Sequence, residues 1–144
     1  IRVEMYRSSK GASEVMICGF DNMEARKTFF NNWLKYRNSV PEEQRNRFLY
    51  IDGRMAAEYF QVYCVQGNDD RAIHLYENSL FNDNEADEVI CSYKQTSFAA
   101  GMIGAIITNL YVNFCANEGK VLYPRDIPFL TEYDAKTMYL KTKA

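Results

Sequence analysis

Residues 15–34 read VMICGFDNMEARKTFFNNWL, and the fold is decided in this stretch. Val15 to Phe20 is a short, uncharged, mostly apolar run of strand length, too short for a stable helix of its own. It breaks at Asp21-Asn22, two residues that readily cap helices, and Glu24 follows Asp21 at capping-box spacing. From Met23 on, Phe29, Phe30, Trp33 and Leu34 recur at helical spacing and give one broad apolar face. The chain therefore reads strand, acidic turn, helix. In an open α/β sheet, ligands bind beyond the carboxyl ends of the strands, which is where this order puts Asp21.

Downstream, Pro41 pushes Val40 away from helical geometry, so the helix that begins near Asn22 should end by Ser39. Glu42 to Arg47 (EEQRNR) is a solvated connector or short helix. Phe48 to Ile51 is a second short apolar run, again ending in an acidic residue, at Asp52-Gly53-Arg54. Two strands ending in Asp and joined by a helix make a βαβ unit with a right-handed crossover, and both aspartates would emerge on one edge of the sheet. The other reading of Asp52-Gly53 is a hairpin turn. Glu58 to Gln66 alternates, with Tyr59, Gln61, Tyr63 and Val65 opposing Phe60, Val62 and Cys64, and reads as an antiparallel strand. Ile1 to Tyr6 also alternates and could add a strand. Gly67 to Asp70 starts a helix that contains His74, the only histidine, to which no role is assigned. Ile127 to Thr131 and Thr137 to Leu140 read as edge strands with Asp134-Ala135-Lys136 between them. The expected fold is α/β: a Rossmann-like mixed sheet, parallel βαβ plus antiparallel strands, packed by helices.

A chain of 144 residues fits one domain, residues 1–144, with a substantial core. Its 47% hydrophobic and 25% charged content is that of an ordinary globular protein. A net charge of −2 and a pI near 5.5 argue against a nucleic-acid surface, and no basic stripe accompanies the eleven Tyr and nine Phe. Cys18, Cys64, Cys91 and Cys115 stand far apart with no CxxC, which removes the usual zinc and thioredoxin signatures. Without a signal peptide or a disulfide framework, a reducing cytoplasm is expected. The chain starts at Ile1 with no initiator Met, so a piece of a longer protein is expected. Asn82 to Glu88 (NDNEADE) lacks the central glycine and ligand spacing of a calcium loop.

Gln95 to Asn117 contains no charged residue and just reaches membrane-span length. Asn109, Asn113, Thr108 and two glycines within it favour a buried helix and no membrane. Within it Ala100, Gly104 and Thr108 form a small-residue stripe, and Phe98, Met102, Ile106, Leu110 and Phe114 an apolar ridge. Cys18, Cys64 and Cys115 read as buried small hydrophobes. Cys91 differs: it precedes a helix start with Lys94 close by, a setting that can lower a thiol pKa as a nucleophile needs. An inert half-buried cysteine at a helix entry is the alternative.

The turn DNMEAR after an apolar strand resembles the D-N-x-x-x-R element of the ThiF/MoeB/HesA superfamily, the ubiquitin-activating-like enzymes that adenylate a protein C-terminus. The resemblance continues in order through FLYIDGRM, EYFQVYCV, a variable segment, and Cys91 ahead of SFAAGMIGAIITNL, from about Val15 to Phe114. It implies that Asp21 helps hold the magnesium and triphosphate of ATP, with Asn22 shaping the turn and Arg26 bracing the site or facing phosphate. It implies attack by a C-terminal glycine carboxylate on the α-phosphate, and in some members acyl transfer to a cysteine, for which Cys91 is the candidate. The implied partners are a ubiquitin-like or sulfur-carrier protein and either a second copy or a complementing N-terminal half. The family's glycine-rich loop should precede Asp21 by many tens of residues, and no GxGxxG occurs in this chain. The expectation is thus the C-terminal half of an incomplete ThiF-type domain, inactive alone. Two other readings stand beside it: a non-catalytic interaction or dimerisation module of the same fold, and another Rossmann-like enzyme such as a methyltransferase.

Overall fold

The computed structural model describes residues 11–56, 58–81, 97–119 and 121–144. In order the elements are β1 (Val15–Cys18), α1 (Met23–Ser39), a short 3-10 helix (Glu42–Arg47), β2 (Leu49–Ala56), β3 (Tyr59–Gln66), α2 (Asp70–Asn78), α3 (Ser97–Ala116), β4 (Leu130–Asp134) and β5 (Tyr139–Lys143). The strands form one sheet in the order β1-β2-β3-β4-β5, with one parallel pair and the rest antiparallel. The parallel pair is β1 with β2, linked through α1, because β3 returns from β2 through a tight link and β4 and β5 follow antiparallel. This is the mixed α/β sheet expected from the sequence. The strand expected over Ile1–Tyr6 and the acidic loop at Asn82–Glu88 lie outside the described residues.

The described residues fall into two compact units, those of Ile1–Tyr50 with Val65–Asp87 and those of Ile51–Cys64 with Glu88–Ala144. In the first unit α1 begins at Met23, one residue later than the Asp21–Glu24 capping-box spacing gives, and ends at Ser39 as expected, with Val40 already extended (φ −101°, ψ 155°) ahead of Pro41. Its buried stripe runs Met23, Arg26, Phe30, Trp33, Arg37, alternating steps of three and four. Phe30 and Trp33 are fully buried against Tyr50 (ring centroids 5.0 and 5.6 Å away), and Tyr76 of α2 lies 4.6 Å from Phe30. The stripe carries an arginine near each end, and each meets a backbone carbonyl. Arg37 donates through Nε to Gly67 O at 2.6 Å and through its guanidinium to Asp70 in the first turn of α2. Only glycine fits at position 67, since a Cβ there would sit 2.4 Å from both Arg45 O and Phe48 Cβ.

In the second unit the strand expected to stop at Ile51 does not. β2 continues through Asp52 and Gly53 to Ala56, so Asp52 is the fourth residue of eight, fully buried, and stands neither at a sheet edge nor in a hairpin turn. The reason is local chemistry that composition hides. Arg54, two residues on and therefore on the same strand face, donates through Nε to Asp52 Oδ2 at 2.7 Å and makes burial of the carboxylate tolerable. Gly53 meets α3, and a Cβ there would lie 3.2 Å from the Cδ1 atoms of Ile103 and Ile107. The two expected edge strands are displaced by two to three residues, and β4 is interior, paired to both β3 and β5. Asp134 closes the turn between them by accepting from Lys136 N at 2.9 Å.

The helix expected to be buried is mostly not so. α3 is long and apolar enough to cross a membrane by length and composition, with 17% of that window buried. Ala99, Leu110 and Phe114 are buried, whereas Phe98, Tyr111 and Val112 are exposed, so Phe98 does not belong to the inner ridge. Cys18 and Cys64 are buried as expected, and burial pushes the Cys64 thiol up to about 12; Cys115 is exposed instead. A run without charges marks a helix as apolar but carries no sign of which side meets the core.

Candidate functional site

The three residues of the D-N-x-x-x-R element come together in the turn between β1 and α1. β1 ends at Cys18, and Gly19 and Phe20 carry the chain to Asp21. Phe20 packs edge-on against Phe29, their ring centroids 5.3 Å apart, which ties the turn to the first turns of the helix. Asn22, not Asp21, is the helix cap: its backbone is extended (φ −129°, ψ 153°) and its side-chain oxygen accepts from Ala25 N at 2.8 Å. Such a cap contributes about 1 kcal/mol. The Asn22 amide nitrogen donates to Asp21 Oδ1 at 3.2 Å and so steadies the carboxylate.

Arg26 is buried on the inner stripe of α1 and its guanidinium donates to the carbonyl of Phe20. Two of the three motif residues are thus committed to the backbone of the turn, and Asp21 is presented to solvent on a rigid base. Cys91, the candidate nucleophile, lies outside the described residues. Among the described residues no group of three or more His, Cys, Asp or Glu side chains is placed to hold a metal ion. One carboxylate can still serve a magnesium ion, which typically takes one or two carboxylates plus phosphate oxygens and water. Asp21 is the carboxylate this turn presents, and no GxGxxG occurs in the sequence.

Two polar clusters escaped the sequence reading. The first is Asp52 with Arg54, whose guanidinium carbon lies 4.3 Å above the centroid of the Tyr63 ring. Its signal was the D-x-R spacing, which places both side chains on one face of any strand. The second centres on Glu132 of β4, which accepts from Tyr59 Oη at 2.6 Å and Gln61 Nε2 at 2.9 Å and lies 3.4 Å from Lys143 Nζ. Gln61 and Glu132 are direct cross-strand partners, a relation fixed by register and invisible along the chain.

This second cluster makes stability pH-dependent on both sides. The hydrogen bonds from Tyr59 and Gln61 hold the Glu132 carboxyl below its ordinary 4.5. That stabilisation is present above the ordinary value and is lost as pH falls through the lower folded one. Burial, then the hydrogen bond to Glu132, pushes the Tyr59 phenol up to about 12, so its contribution is intact below 10 and is lost as pH rises from there through 12. Urea midpoints measured against pH should show Glu132→Gln less stable than the parent at neutral pH, the gap closing well below pH 4.5. A gap constant with pH would show that the Glu132 charge is not what the cluster stabilises.

The chain matches no protein-family model and no curated protein sequence.

Proposed function

We propose that this chain is part of an ATP-dependent adenylyltransferase of the ThiF/MoeB/HesA type, the C-terminal portion of the domain, which activates the C-terminal carboxylate of a ubiquitin-like or sulfur-carrier protein. The observation that carries the proposal is the division of labour in the β1–α1 turn. Asn22 caps the helix, Arg26 braces the Phe20 carbonyl, and the Asp21 carboxylate is left exposed beyond the carboxyl end of a strand in a parallel pair. Ligand chemistry in open α/β sheets gathers at that position.

Magnesium bound with ATP would supply neutralisation of the phosphate charge. Asp21 offers it one oxygen ligand, Asn22 fixes the direction of that carboxylate, and Arg26 keeps the turn from collapsing onto the strand end. Catalysis of this kind is mostly positioning and electrostatics, so a braced turn with one outward carboxylate is a sensible contribution from this half. The phosphate cradle has to come from residues other than these, from a preceding half of the domain or a complementing chain. Among the described residues β1 is an edge strand of the mixed sheet, with Ile17 50% exposed, and that half could pair beside it.

The test is ATP–pyrophosphate exchange by the enzyme completed with that half, in the presence of a carrier protein ending in glycine. Asp21→Ala should lower exchange at least ~10-fold, the loss of roughly one charge-assisted interaction, while leaving the melting temperature unchanged because Asp21 is exposed. Exchange that is indifferent to Asp21, or absent with every carrier tried, would leave the second reading: a non-catalytic interaction module, which the exposed uncharged face of α3 favours.

A further inference from the structure

We propose that the tip of the β4–β5 hairpin is a shallow anchor that docks this protein on an anionic phospholipid surface. Met138, Tyr139 and Leu140 enter the boundary between headgroups and acyl chains, and Lys136, Lys141 and Lys143 meet the lipid phosphates. The inference does not rest on the adenylyltransferase reading. The contact is peripheral, and no segment crosses the bilayer.

The first observation is an apolar side chain held in water by a strained backbone. Met138, in the turn ahead of β5, has φ 53°, and among the described residues it is the only non-glycine with a positive φ. Glycine or asparagine adopts that conformation more readily. The chain instead places a methionine there and leaves it 80% exposed, with Tyr139 and Leu140 following at 61% and 54%. A strained position that packs against so little of its own fold points to a contact outside it.

The second observation says what that contact is. Tyr139 and Leu140 are consecutive in β5, so their side chains leave opposite faces of the sheet. A protein surface laid on the hairpin covers one of those faces, whereas a fluid apolar medium around the tip covers both. Tyr139 stands opposite Asp134 in the last pair of the ladder and Leu140 opposite Tyr133 in the next. The three apolar residues therefore span about 7 Å along the strand, within the 5–10 Å that interfacial anchors penetrate. The turn also suits a drier setting: Asp134 Oδ1 accepts from the backbone N–H of Lys136 at 2.9 Å and of Thr137 at 3.4 Å.

Charge names the lipid. Residues 135–144 read AKTMYLKTKA, with three lysines and no acid. The two acids of β4 are engaged, Asp134 by the turn and Glu132 by Tyr59, Gln61 and Lys143. Every residue from Lys136 on is exposed, so the lysine stems can lie along the apolar boundary with their ammonium groups at the phosphates. The whole chain is slightly acidic, which keeps the attraction local to this tip, within a Debye length of about 8 Å. Leu122 and Tyr123 are more exposed still, but residues 118–126 (EGKVLYPRD) balance two acids against two bases. That loop is the internal control.

The test is flotation of the whole chain with vesicles of phosphatidylcholine, alone or with about 30% phosphatidylserine, across roughly 0.1–5 mM lipid, a range that brackets a single shallow anchor. The parent should bind the phosphatidylserine vesicles at least ~10-fold more tightly than phosphatidylcholine alone, and release them in about 0.5 M salt. Lys136→Gln and Lys141→Gln should each weaken binding about fivefold. Met138→Gly should weaken it about tenfold while keeping or raising the melting temperature, because glycine relieves the positive φ. Opposite signs in those two readouts exclude unfolding as the cause. Leu122→Ser should bind as the parent does. A parent that floats with neither vesicle, or equally with both, overturns the proposal. So does Met138→Gly binding like the parent, lysine variants without effect, or Leu122→Ser losing as much as Met138→Gly, which would be general adsorption of exposed apolar groups.

Discussion

Asp52→Ala should destabilise the protein by about 3–5 kcal/mol, among the largest losses open to a single polar residue here. The carboxylate is fully buried and the Arg54 guanidinium 2.7 Å away is only 14% exposed. Deleting the acid removes one buried counter-charge from a guanidinium that stays largely out of water, and the cost of that exceeds whatever the pair itself contributes. Arg54 also lies over the Tyr63 ring, so its head is held by packing and cannot simply swing into solvent. For a chain of this length the loss corresponds to a fall in melting temperature of roughly 6–20 °C. Urea unfolding should show the same shift in midpoint with the slope unchanged. The double change Asp52→Ala with Arg54→Met should be much milder than the sum of the two single changes, since an apolar pair needs no compensation. A loss below about 1 kcal/mol for Asp52→Ala, or strict additivity in the cycle, would mean the carboxylate is hydrated and its burial immaterial.

The same residue shows where legibility ends. At Asp21 and Asp52 the sequence presents one pattern, an apolar run followed by an acid. The first is a turn, because Asn22 can cap and the apolar spacing that follows is helical; both signals lie within a few residues. The second is a strand interior, because Arg54 neutralises the acid and because Ile103 and Ile107, fifty residues away, lie against Gly53. Local chemistry was readable and distant packing was not. The β1–α1 turn, the α1 terminus at Ser39 and the pairing strand Tyr59–Gln66 rest on local signals and came through. The outward face of α3 and the Glu132 cluster depend on which elements meet and in what register, and no stretch of sequence carries that. In the candidate site, Asn22 and Arg26 act on atoms three and six residues away, which is why the motif alone nearly specifies its own geometry.

Trp33→Ala should cost a comparable 3–5 kcal/mol, for a different reason. The side chain is fully buried with Phe30 at 5.7 Å, Tyr50 at 5.6 Å and Phe48 at 6.3 Å between ring centroids, so truncation opens a cavity walled by rigid rings that collapse poorly. The indole also does something an aliphatic residue could not. Its Nε1 donates to Glu14 O at 3.0 Å, and the same carbonyl accepts from Leu49 N at 2.9 Å. One oxygen just ahead of β1 thus ties together α1 and the first residue of β2, and Trp33 is the member of that junction that sets the helix against the parallel pair. Trp33→Phe keeps most of the ring and loses the donor, so it should fall between, at about 1–3 kcal/mol. Trp33 is the only tryptophan, so the parent's own fluorescence should be blue-shifted in the native state and move to the red in a single step with urea. The variants are followed by circular dichroism instead. If Trp33→Phe proves as costly as Trp33→Ala, the indole hydrogen bond carries the junction and the packing is secondary. If Trp33→Ala costs less than about 1 kcal/mol, the aromatic cluster is not the core of the first unit and the α1 assignment built on it fails.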